Sequence, residues 1–195
     1  MGEKSEHKKK YIVEMARKVF MEKGFKKVTM KDIVEACEIS RGGLYLYFEN
    51  TSQIFLEVLK LESEETDDVF ADSINEDATA AEILILFLEE QKKELLKEQN
   101  TLTKAIYEFY FSDDISGKGN VLKRQFDSAV RILEKLIEAG VETGEFICDD
   151  CREAARNIMF VLEGLKITAQ TIGVTEETVD REIDYILKTL DMVEE

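Results

Sequence analysis

A chain of 195 residues with 44% apolar and 35% charged content is long enough for one domain of ordinary size plus a small appendage, and too apolar for a disordered protein. Its formal charge of −16, from 26 Lys and Arg against 42 Asp and Glu, argues against a nucleic-acid partner when taken whole. Proline is absent while Glu, Lys, Leu and Ala are abundant, which argues for helices throughout.

The first helix places Ile12, Ala16, Val19, Phe20 and the aliphatic stem of Lys23 on one face and stops at Gly24 in "KGF". Thr29 then reads as an N-cap with Asp32 at the capping-box position, ahead of a short helix whose inward face is Ile33, Val34 and Cys37. Ser40 caps a third helix, "RGGLYLYF", ending before Asn50, and Thr51 or Ser52 caps a fourth through Ile54, Phe55, Val58, Leu59 and Leu61. Thr79 and Glu82 form another capping box and open a helix to about Lys97. "TLTKAIYEFYF" is the next helix, "SDDISGKGN" a loop, and Val121 to Thr143 a long helix closed by Gly144. Two more helices, near 151–172 and 176–192, bring the expected total to about nine, with no strand.

Charge is unevenly spread along this helical chain. Residues 1–50 carry 11 Lys and Arg against 8 Asp and Glu, net +3, whereas residues 51–195 carry 15 against 34, net −19. A small anion-seeking head on an acidic body is the expected organisation, with a boundary at residue 50 between domains of 1–50 and 51–195. Two short helices joined by about three residues have the form of a helix-turn-helix. A helical wheel turns Leu44 and Phe48 inward and Gly42, Gly43 and Leu46 outward, with Tyr45 and Tyr47 flanking them. Each glycine costs about 1 kcal/mol relative to alanine inside a helix, so close approach of backbone to a phosphate or base edge is the better reason for the pair. Tyr45 and Tyr47 then offer hydroxyls to phosphates, and Arg41 suits either a phosphate or guanine.

The text "MEKGFKKVTMKDIVEACEISRGGLYLYFENTSQIF" resembles the DNA-binding domain of the TetR family of bacterial transcriptional regulators. That pattern has a first helix ending in "KGF", a Thr-led second helix and a Ser-capped recognition helix; the likeness is specific over roughly residues 8–60. It implies an all-α fold: an N-terminal three-helix helix-turn-helix domain and a C-terminal helical ligand-binding and dimerisation domain. It also implies a non-enzymatic, ligand-responsive repressor, with two heads on a palindromic operator of double-stranded DNA and release by a small apolar or amphipathic effector. No other cofactor is implied. Thr29, Ser40, Tyr45 and Tyr47 match positions that touch the phosphate backbone, and Arg41, Gly42 and Gly43 match the start of the reading surface. Lys31 and the arm Lys8, Lys9 and Lys10 join them on charge alone. Three departures stand out: Gly43 where Thr is common, Leu46 where His or Tyr often sits, and Thr51 where a Lys frequently starts the fourth helix. The first two point to apolar readout, with Leu46 against a thymine methyl group.

In the body, Phe87, Gln91, Tyr107, Tyr110, Phe111, Phe126, Asn157 and Phe160 are the candidates for lining an effector pocket, since large apolar groups there are interleaved with polar ones. Ile158, Leu162, Leu165, Ala169 and Ile172 step by 4, 3, 4, 3, as do Val179, Ile183, Ile186, Leu190 and Val193. These two narrow seams suit either the chain's own core or a partner. Met159, Phe160 and Val161 add apolar positions beyond the first seam and favour a homodimer built on a four-helix contact.

Three cysteines are too few and too unevenly placed for a disulfide framework. "CDDC", Cys148 to Cys151, leaves two alternatives, a thiol-based redox sensor or half of a metal site. A zinc site lacks further ligands, because Cys37 and His7 lie in the head. An all-helical interaction protein without DNA binding is the remaining alternative. One histidine leaves no Ser-His or Cys-His pair for an enzyme. "MGEKSEHKKK" leads into an amphipathic segment rather than a signal peptide, and "AAEILILFLEE" is about half the roughly 20 residues a bilayer helix needs. A cytoplasmic protein with no membrane partner is expected.

Overall fold

Side-chain caps decide where several of the helices begin. In the computed structural model, which describes residues 3–73, 77–97, 102–112 and 121–190, nine helices are present among the described residues and no strand. They are α1 (Glu3–Lys23), α2 (Met30–Cys37), α3 (Arg41–Tyr45), α4 (Thr51–Ser73), α5 (Ala80–Leu95), α6 (Thr103–Tyr110), α7 (Val121–Thr143), α8 (Cys151–Thr171) and α9 (Glu176–Lys188). None of them is long and apolar enough to cross a membrane. Of the expected loop, residues 112–120, all but Ser112 lie outside the described residues, as does Val193.

The chain divides into two compact units, Met1–Asp72 with Gln99–Ile115, and Ser73–Glu98 with Ser116–Glu195. In the first, α1, α2, α3 and α4 share one core with α6. Phe20, Phe55 and Phe109 are fully buried, and their rings, with that of Phe25, form a cluster with centroid separations of 4.7 to 5.9 Å. Truncating any one of the three buried rings would cost about 3–5 kcal/mol. This unit therefore runs past residue 50: Ile54, Phe55, Val58 and Leu59 of α4 and Ala105 of α6 belong to the same core as Ile33 and Leu44. A left-handed turn and one hydrogen bond tie the end of α1 to α6. Gly24 has φ of +75°, the left-handed value that lets α1 end and the chain turn, and Glu108 of α6 accepts a hydrogen bond from Lys26 N at 3.0 Å.

The second unit packs α5, α7, α8 and α9 around Leu84, Leu88, Ile137, Phe146, Ile158, Leu162 and Val179. Lys92 of α5 joins α9 through Glu176 (3.1 Å) and Asp180. The end of α7 is built from two glycines and a ring. Gly144, at φ +81°, reverses the chain, Glu145 N and Phe146 N both donate to Gly140 O (2.8 and 3.1 Å), and Phe146 folds back over Gly140 with 2% exposure.

Two expectations about helix ends shift. Helix α3 stops at Tyr45 rather than near Phe48, because Tyr47 N donates to Leu44 O at 3.0 Å and tightens the chain into turns. The cap of α4 is Asn50, one residue earlier than expected: its Oδ1 accepts from Gln53 N at 2.9 Å, while Gln53 Oε1 accepts from Glu49 N at 2.8 Å.

Candidate nucleic-acid interface

Helix α2 is fixed by a reciprocal box in which Thr29 Oγ1 accepts from Asp32 N (3.3 Å) and Asp32 Oδ2 accepts from Thr29 N (2.8 Å). Asp32 also receives Lys23 Nζ at 2.7 Å and the Thr29 hydroxyl at 2.5 Å. The Lys23 ammonium first, then Thr29, hold this carboxyl far below the usual carboxylate range. The chain leaves α2 through Glu38, whose φ of 52° is left-handed, and enters α3 at Ser40, whose Oγ accepts from Gly43 N at 3.1 Å. Leu44 and Phe48 are buried beneath α3, pinning it on the core of the first unit.

What α3 turns outward is set by that anchoring. Arg41, Gly42, Tyr45 and Leu46 are exposed, Leu46 to 81%, while Gly43 and Tyr47 are half-buried. The Arg41 guanidinium lies over the Tyr45 ring at 5.5 Å. Ser40 keeps its hydroxyl hydrogen available while capping, whereas the Thr29 hydroxyl hydrogen is directed to Asp32. Lys31 is exposed and 3.6 Å from Glu35, and Thr51 is half-buried in the first turn of α4. In the arm, Lys8 and Lys10 are exposed and Lys9 pairs with Glu57 at 2.8 Å.

The dimer candidates require correction. Ile158, Leu162, Leu165, Val179, Ile183, Ile186 and Leu190 are all buried within the second unit, so the two seams serve the chain's own core. Ala169 is half-buried against that core, and among the described members of the expected set only Ile172, at 87% exposure, stands clear of it. A second stripe on α8 escapes the seam reading. Asn157, Phe160, Gly164, Ile167 and Thr171 also step by about half a heptad, and all five are exposed. On α9, Arg181, Tyr185 and Lys188 are exposed.

The ligand candidates are divided between the units. Tyr107 and Tyr110 of α6 and Phe111 just after it belong to the first, where Tyr107 and Phe111 stack at 6.0 Å and Phe111 is 70% exposed. Phe87, Gln91, Phe126, Asn157 and Phe160 belong to the second. There Phe126 of α7 meets Phe160 of α8 at 5.3 Å, Phe87 and Gln91 are half-buried on α5, and Asn157 and Phe160 lie on the outer face of α8.

Cys148 and Cys151 are free thiols, both half-buried against the second core. Cys151 is the first residue of α8, yet its thiol is pushed up, by burial first and by the neighbouring Cys148 next. Desolvation thus outweighs the helix end, the reverse of an activated thiolate. Among the described residues no group of three or more His, Cys, Asp and Glu is arranged to hold a metal ion.

Residues 12–58 match the family described as bacterial regulatory proteins, tetR family, and residues 83–180 match the tetracyclin repressor-like C-terminal domain. The HTH-type transcriptional regulator YfiR of Bacillus subtilis (strain 168) is 32% identical over 145 residues, covering 72% of this chain and 70% of its own length. Among solved structures, a TetR transcription regulator from Haloarcula marismortui is similar with a TM-score of 0.80 at 16% identity, over 97% of this chain and 100% of that one. The TetR-family regulator CifR, solved as a mutant with 26bp double-strand operator DNA, is similar with a TM-score of 0.74 at 20% identity, over 93% of this chain and 95% of that one. At these identities the two structures speak for the fold alone.

Proposed function

Because the chain belongs to the tetR family of bacterial regulatory proteins, and is therefore a DNA-binding transcriptional regulator rather than an enzyme, we propose that it is a cytoplasmic repressor. It holds a palindromic operator as a homodimer and lets go when a small apolar or amphipathic molecule binds its C-terminal part. The observation that carries this reading is the outward face of α3, where Arg41, Gly42, Tyr45 and Leu46 stand exposed on an element anchored by the buried Leu44 and Phe48. Ser40 and Tyr47 flank that face as phosphate contacts, Lys31 and the lysine arm add charge, and Thr29 acts through the cap that fixes α2.

Two heads must enter successive major grooves about 34 Å apart, so the oligomer sets the spacing and an effector acts by changing it. The exposed stripe of α8 supports a twofold contact: Phe160 and Ile167 are large apolar groups in water at 61% and 43% exposure, and Gly164 between them lets a second backbone approach. Phe160→Glu together with Ile167→Glu would then give a monomer by sedimentation and weaken operator binding. The test of the whole reading is retention of sheared genomic DNA from the source organism by the purified protein, followed by sequencing. A small set of palindromic fragments, lost steeply as salt rises, is expected. Retention without sequence preference would refute the operator reading.

A further inference from the structure

We propose that Gly42 and Leu46 act together to recognise a thymine by its 5-methyl group, an inference that rests on the DNA-reading role of α3. The two residues are one turn apart on the same side of the element, with Leu46 N donating to Gly42 O at 3.2 Å. Leu46 is 81% exposed, more than any other large apolar residue described in the first unit. No described residue covers it, and it lies on the unit that includes the net-positive segment, residues 1–50. In the major groove the thymine methyl is the one apolar group among the base edges, so a leucine presented there has a single matching partner.

Gly42 leaves the neighbouring turn bare. A Cβ built on it meets nothing within 4 Å, and its backbone is not in the left-handed region, so neither packing nor geometry inside the chain requires glycine. Alanine there would raise helix stability, by up to about 1 kcal/mol at an interior position. Gly43 differs, since a Cβ there would lie 3.1 Å from the capping Ser40 Oγ. Bare backbone at Gly42 thus serves close approach to the groove: a methyl on that side of the turn would hold α3 away from the groove floor and lift Leu46 off its target.

The experiment begins with selection of duplexes from a random-sequence library by the full-length protein. Each thymine of the enriched duplex is then replaced singly by deoxyuridine, and affinity is read by fluorescence anisotropy at fixed salt. One thymine per half-site should show a loss of about fourfold on removal of its methyl, the equivalent of one methyl-sized apolar contact. In Leu46→Ala that thymine and uracil should bind alike, while discrimination at other bases persists. Gly42→Ala should be at least as heat-stable as the parent protein and yet bind the selected duplex at least tenfold more weakly. Equal affinity for every uracil duplex, an unchanged thymine preference in Leu46→Ala, or full binding by Gly42→Ala would each overturn the proposal with the regulator reading intact. Failure to enrich any duplex would overturn the DNA-reading role and this inference with it.

Discussion

Replacing Gly140 with alanine probes how α7 is closed. The added Cβ would stand 2.2 Å from Cδ2 and 2.4 Å from Cε2 of Phe146, where carbon atoms in contact sit about 3.5–4.0 Å apart. The ring would have to retreat by about 1.3 Å or more to reach that separation. It is 2% exposed in the core of the second unit, and its own N–H is bonded to Gly140 O at 3.1 Å, so ring and helix cannot part without loosening the turn. Overpacking costs about 1–3 kcal/mol, and alanine's helix preference offsets about 1 kcal/mol of it. Expelling the ring instead forfeits about 3–5 kcal/mol of burial, as in a Phe→Ala change. The net loss is then up to about 2 kcal/mol if the ring shifts within the core and about 2–4 kcal/mol if it leaves. Urea unfolding at a fixed protein concentration reads the difference from the midpoint and slope. Combining Gly140→Ala with Phe146→Leu should recover part of what the first change loses, giving a coupling that independent sites would not show. Strictly additive effects of Gly140→Ala and Phe146→Leu would refute the clash between the two residues.

Thr29→Val removes the oxygen that caps α2 and should lower stability by about 0.5–2 kcal/mol, checked by thermal unfolding. Asp32 binds its proton less readily folded than unfolded, so its contribution is complete above the unfolded value near pH 4 and is lost as pH falls below it. The Asp32→Asn protein should accordingly lose less stability than the parent between pH 5 and about pH 3, as read by urea midpoints across that range. Gly24→Ala forces a left-handed alanine, at about 1–2 kcal/mol, and brings its Cβ to 2.6 Å from Glu108 Oε2. Adding Glu108→Ala should cost less in that background than in the parent, measured as a double-mutant cycle. Cys151, with its thiol pushed up by burial, should alkylate at pH 7 more slowly than free cysteine, and mass spectrometry after timed iodoacetamide exposure would show the reverse if the thiol were activated.

Local chemistry was readable in the sequence wherever one residue satisfies its near neighbours. Thr29 with Asp32, Ser40, Thr79 with Glu82, and Gly24 and Gly144 all occupy the ends assigned to them, because caps and left-handed turns depend on residues within a few positions. The fourth helix misled by one residue, since Asn50, Thr51 and Ser52 are all competent caps and only the Gln53 amide decides among them. Periodicity placed the inward faces of α8 and α9 but could not say what they face. An alternating stripe of threes and fours looks the same whether the opposing helix is in the same chain or another, and α8 carries two, one buried at Ile158, Leu162 and Leu165 and one exposed. Nor could spacing reveal that α6 packs with the head. Its Phe109 meets Phe25 at 4.8 Å and Phe55 at 5.0 Å, partners far away along the chain.

That last packing limits how the protein can be cut and recombined. A fragment ending after α4 would keep every residue of the proposed reading face yet leave one side of the Phe20, Phe25 and Phe55 cluster wet, because the ring that seals it arrives on α6. The reading module is thus discontinuous: grafting it onto another regulator requires carrying a second segment from beyond residue 100, and any swap confined to the N-terminus would yield a sticky, half-finished domain.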